Sequence, residues 1–194
     1  MMIQYKLSGF SLISVFGMIA VITSCQPTYY KSEFGNYLPT KPNYWLCEQE
    51  FNLSDTSVIE TQKIYQSTAI RFDPERKTHD TTYYYLRFFP NGTCFSKWRI
   101  GRPSSEEYEQ SRNGFPGCWR LIDNRLFIEH YNHHFAGTYF LIEFICRGDT
   151  LYKSQVKSGR KGTWTKSEMI FVKVNDIVVQ ARQLEENPIW NVRN

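Results

Sequence analysis

Apolar and polar residues alternate with a period of two through the middle of the chain, and turn residues interrupt the alternation. Thr82 to Phe89 is an aromatic run, Pro90-Asn91-Gly92 carries turn chemistry, and Thr93 to Ile100 alternates again. This pattern predicts a β-hairpin. Residues 101 to 116 are polar and hold Gly101, Pro103, Gly114 and Pro116, which predicts a long loop with one helical turn around Ser105 to Gln110. Gly117 to Ile122 and Arg125 to Tyr131 predict a second hairpin that turns at Asp123-Asn124. Further strands are expected at Thr138 to Cys146, Leu151 to Lys157 and Met169 to Val174, with one or two more between Ile59 and Phe72. From Asp176 to Glu186, Ile177, Ala181 and Leu184 recur at helical spacing before Pro188. A short hairpin through Asn175-Asp176 is the alternative there.

These segments amount to roughly eight strands with no βαβ alternation. The expected fold is all-β: an antiparallel up-and-down barrel, or a related sandwich, with a short C-terminal helix. Closure removes exposed sheet edges. The alternation also assigns faces. Cys94, Ser96, Trp98 and Ile100 oppose Lys97 and Arg99, and Tyr84, Leu86 and Phe88 oppose Arg87. Leu126, Ile128 and His130 oppose Arg125 and Glu129, while Phe140, Ile142, Phe144 and Cys146 oppose Glu143. The expected interior is aromatic with a few polar groups.

The N-terminal segment has a different character. Lys6 precedes an apolar run from Leu7 to Ile22, broken by serines and glycines, and the run ends in Ile22-Thr23-Ser24-Cys25. It is short for a bilayer span, which takes about 20 apolar residues. The arrangement resembles the lipobox of a bacterial lipoprotein. The resemblance implies removal of residues 1–24 and lipidation of Cys25 with palmitate-type acyl chains, a stable membrane anchor. Gln26 stands where an Asp would favour the inner membrane, so the resemblance implies the outer membrane, facing the periplasm. Residues 25–43, with Pro27, Gly35, Pro39 and Pro42, are expected to be a flexible tether. Residues 44–175 are then the barrel, and 176–194 the C-terminal helix and tail.

Composition adds limits. The formal charge of +4, or +3 without Lys6, is no nucleic-acid footprint. Thirteen Tyr, 14 Phe and 5 Trp favour strands. Cys47, Cys94, Cys118 and Cys146 allow three full pairings in an oxidising compartment, with buried free thiols that act as small apolar groups as the alternative. Alternation turns Cys118 outward and Cys94 and Cys146 inward, which disfavours a Cys94–Cys118 bridge.

The run Leu86-Arg87-Phe88-Phe89-Pro90-Asn91-Gly92-Thr93, with Gly117-Cys118-Trp119, Leu126-Phe127-Ile128-Glu129 and Gly148-Asp149-Thr150-Leu151, resembles the lipocalin-like lipoproteins of Gram-negative bacteria. The resemblance implies a calycin-like barrel. The expected function is binding of a small apolar or amphipathic ligand by Tyr84, Trp98, Phe140, Phe144 and Tyr152, with Ser96 and His130 as polar contacts. The rival expectation is a structural or protein-interaction component of the cell envelope with a filled core, because an eight-stranded barrel can be filled or hollow. No catalytic elbow, phosphate loop or zinc-protease motif occurs, so neither catalysis nor a cofactor is expected. Glu129, His130, His133 and His134 are the densest group of metal-ligand types, at a strand end where a solvated turn is expected and no metal site. Lys157, Arg160, Lys161 and Lys166 form a basic turn between two strands, expected to be solvated charge, with contact to anionic lipid headgroups or glycan as the functional alternative.

Overall fold

The two central hairpins form where their turns require. Asp123 and Asn124 both take left-handed backbone, at φ 50° and 60°, as a two-residue hairpin turn demands. The computed structural model describes residues 29–52, 58–134 and 137–179. Two short strands, β1 (Tyr29–Lys31) and β2 (Tyr37–Pro39), pair with each other. Eight longer ones follow: β3 (Lys63–Asp73), β4 (Thr78–Phe88), β5 (Thr93–Ile100), β6 (Phe115–Ile122), β7 (Arg125–Asn132), β8 (Thr138–Arg147), β9 (Thr150–Ser158) and β10 (Trp164–Val178). Each pairs antiparallel with its neighbour in sequence, and β10 also pairs with β3, so the sheet closes into an eight-stranded up-and-down barrel. The short helix α1 (Ser105–Glu109) lies between β5 and β6, started by a capping box of Ser104 and Glu107.

Two expectations are corrected. Asp176 to Val178 continue β10 instead of starting a helix or turning back at Asn175-Asp176. Pairing of Val178 with Lys63 and the bond from the Val179 amide to the Gln62 carbonyl hold this end extended. The remainder of the expected helix, residues 180–186, lies outside the described residues, as does Cys25. The second correction concerns the tether. From Tyr29 onward the chain is laid against the barrel, with Asn36 and Leu38 buried. The Asn36 side chain donates to the Ser111 carbonyl at 2.8 Å and accepts from the Gly114 amide at 3.0 Å.

The barrel has an inner and an outer core. Inside pack Tyr65, Leu86, Phe88, Cys94, Trp119, Leu126, Ile128, Phe144, Leu151 and Phe171. Outside, α1 covers the wall, and Tyr108 packs with Ile64, Tyr85, Phe89, Phe95 and Val179. Arg87 points outward as alternation requires, yet it is buried beneath α1. Its guanidinium donates to the Glu109 carbonyl at 2.6 Å and lies 4.7 Å from the Phe89 ring centre. A buried cation is tolerable only with such partners.

Residues 43–52 form a strap along the outer wall. The Leu46 amide donates to Glu129 Oε2 at 2.6 Å, Cys47 is disulfide-bonded to Cys118, and Arg120 donates to the Gln49 carbonyl at 2.7 Å. The face assignment of the cysteines holds: Cys118 bridges outward, while Cys94 stays a free thiol in the inner core. Where β6 crosses β7, Gly117 leaves no room for a side chain, because an added Cβ would collide with the Glu129 carbonyl oxygen. Gly117→Ala is therefore expected to lower stability by about 1–3 kcal/mol, the range for forced overpacking, read as a shift of the urea midpoint.

Candidate functional site

The two ends of the barrel differ. The β4–β5, β6–β7 and β8–β9 turns lie at one end, which Trp119 fills. Its indole Nε1 donates to the Phe89 carbonyl at 3.1 Å, and Phe51 and Phe88 meet it edge-on at 5.0 and 5.6 Å. The other half holds a cavity of about 490 Å³. Its opening follows from the sheet. The strands β5 and β6 pair only from Thr93 to Ser96, so Lys97 to Ile100 have no partner in β6. The wall gapes beside Trp98, which is 52% exposed and forms the rim.

Of the seven residues expected to bind, Tyr84, Ser96, Trp98, His130 and Phe144 line this cavity. Phe140 and Tyr152 do not. Phe140 lies near the mouth end of β8, opposite His130 and 6.1 Å from its ring, on the same face of the sheet but not among the residues that line the cavity. Tyr152 is turned out by a bulge. Glu143 pairs with Gln155 but Phe144 with Lys153, so Ser154 is an extra residue and the parity of β9 reverses there. Tyr152 consequently faces solvent beneath the Arg147 guanidinium, 5.4 Å away. The same reversal points Lys153 inward, between Phe144 and Met169.

Lys153 is the residue that alternation misplaces. It lines the cavity with Met169, Phe171 and Phe115, and no hydrogen bond or ion pair joins its side chain among the described residues. Burial pushes its ammonium below the usual lysine range. His130 sits across the lumen, its ring stacked near Phe115 at 5.5 Å and its Nδ1 buried without a partner. Burial, helped by the charge of Lys153, lowers its pKa to about 4. His130 is thus neutral in the folded barrel while an unfolded histidine titrates near 6.5. As pH falls from about 6.5 to 4 the unfolded chain takes up the proton first, so stability is lost across that window, by at most about 3 kcal/mol. His130→Phe is expected to flatten the change in urea midpoint between pH 7 and 4.5; an unchanged slope would show that His130 does not carry it.

The other candidates separate. Glu129 is committed to the strap, His133 stacks on Tyr37 at 3.6 Å instead of being solvated, and His134 is exposed. Among the described residues no three His, Cys, Asp or Glu side chains converge. In the basic turn, Arg160 pairs with Glu48 at 3.5 Å, Lys166 with Glu168 at 2.5 Å, and Lys157 lies 5.9 Å from the Trp164 ring. Lys157 and Arg160 also edge an outer groove of about 390 Å³ with Trp45, Phe127, Tyr139 and Trp164. The β1–β2 hairpin stands at the mouth, where Lys31 and Tyr37 share a shallow recess with Trp98, Phe115 and His134. Comparison of the chain with protein-family models, curated proteins and solved structures finds no match.

Proposed function

We propose that the protein is a lipid-anchored, lipocalin-like binding module of the outer membrane that faces the periplasm and takes a small apolar or amphipathic ligand into its barrel. The observation that carries this reading is the cavity of about 490 Å³, walled by aromatic and aliphatic side chains with few polar groups. A ligand pocket of this size and lining is ordinary for small molecules. The placement of the mouth adds support. Tyr29 lies four positions after Cys25, and an extended chain covers at most about 14 Å over that distance. An acyl anchor on Cys25 would therefore hold the mouth end next to the bilayer. The basic β9–β10 turn lies at this same end, where anionic headgroups would meet it.

Two measurements test the reading. Cys25→Ala is expected to abolish lipid labelling and release the protein from the membrane fraction; labelled lipid that persists in this variant would remove the anchor. An apolar fluorescent probe is expected to bind saturably at micromolar concentration and to change the tryptophan emission. Trp98→Ala should weaken that binding by about 1–3 kcal/mol through lost aromatic contact. Absence of saturable binding across a panel of probes would favour the second reading, an envelope component that acts through its surface. The outer groove with Trp45 and Trp164 is the observation that supports that alternative.

A further inference from the structure

We propose that the cavity selects an apolar molecule bearing one carboxylate, with Lys153 as the counter-charge inside the barrel. This rests on the binding-module reading and specifies its ligand. An ammonium facing an aromatic lumen is costly, and proteins ordinarily pair such a group or leave it in water. Here no acidic partner faces it. Glu143, the nearest carboxylate in the ladder, pairs with Gln155 and points outward to Arg125, at 2.6 Å, and to Ser154 and Gln155. Glu168 lies beside the same bulge but is exposed and bound to Lys166. On the lumen side, the groups that meet Lys153 are Phe144, Met169 and Phe171, with His130 neutral across the space.

An entering carboxylate would supply the missing charge, and a neutral His130 could donate one hydrogen bond to it. Lys153 lies at mid-height, deeper than Trp98, so the headgroup enters first and the apolar tail extends toward the rim. Lys97 also edges the cavity, at the gap in the wall, but it pairs with Tyr85 of the outer core and faces the Glu107 carboxylate of α1. Lys153 is therefore the ammonium without an opposite charge, and it matches one carboxylate. An alkyl phosphate carries more than one charge near neutral pH and would leave uncompensated charge in the lumen.

The test compares dodecanoate, dodecanol, dodecyl phosphate and dodecylammonium, each below its aggregation concentration, by titration calorimetry on the purified full-length protein. Dodecanoate is expected to bind at least about tenfold tighter than dodecanol, the scale of a charge-assisted hydrogen bond in a dry site. Lys153→Met should erase that preference while dodecanol still binds. Lys153→Arg should keep it, which separates loss of charge from loss of fold. Equal affinity for dodecanoate and dodecanol, or a preference that survives Lys153→Met, would overturn the proposal while leaving the binding module intact. Tighter binding of dodecyl phosphate would overturn the carboxylate assignment. Failure of every probe, dodecanol included, would overturn the binding module itself and this proposal with it.

Discussion

Replacement of both Cys47 and Cys118 by alanine is expected to destabilise the barrel by about 4 kcal/mol. The bridge closes a loop of 71 residues, and the entropy such a crosslink removes from the unfolded chain has that size. The native strap would suffer too. Cys47 is next to Leu46, whose amide supplies a hydrogen bond to the buried Glu129 carboxylate. Burial already raises the Glu129 pKa against that bond. A strap that lifts away would leave Glu129 in the wall without its donor, and Arg120 without the Gln49 carbonyl. Urea unfolding of the double variant, and of the wild type under reducing conditions, should show the same loss. A loss below about 1 kcal/mol in both would mean that the strap is held by its other contacts. Cys94, buried and with its thiol pushed well above the usual range, is expected to resist thiol reagents in the folded state.

Much of the barrel is legible in the sequence because its turns are short and its strands alternate cleanly. The hairpin at Gly92, the turn at Asp123-Asn124 and the capped helical turn after Ser104 lie where their residues predict. Alternation also places Cys94 and Cys118 on opposite sides of the wall. Its failures have one physical source: period-two reasoning assumes an unbroken ladder. The extra Ser154 in β9 leaves no mark in composition, yet it exchanges Tyr152 for Lys153 in the lumen. Arg87 and Glu129 fail differently. They do point outward, but covers from distant sequence, α1 and the strap, bury them. Polarity alone cannot announce such long-range covers. Proline and glycine in residues 29–43 suggested a tether, whereas Asn36 anchors that segment through two hydrogen bonds.

Trp119→Ala is expected to cost about 3–5 kcal/mol of stability, while Trp98→Ala costs less than about 1 kcal/mol and acts on binding. The two tryptophans lie at opposite ends of one barrel. Trp119 is 0% exposed, donates its indole proton to the Phe89 carbonyl and supports the rings of Phe51 and Phe88. Its truncation removes that aromatic contact, opens a cavity and leaves the Phe89 carbonyl with the Gly92 amide alone, at 3.1 Å. Trp98 is half exposed on a stretch of β5 without a partner in β6, so little packing depends on it. Urea titration read by far-ultraviolet circular dichroism, alongside probe binding, separates the effects. The expected result is a large midpoint shift with Trp119→Ala alone, and a weakened probe affinity with an almost unchanged midpoint for Trp98→Ala. Comparable destabilisation by both would mean that the mouth half packs as tightly as the closed half and has no room for a ligand. The expected outcome would divide the barrel into a filled end that carries stability and an open end that binds, as a barrel of eight strands permits.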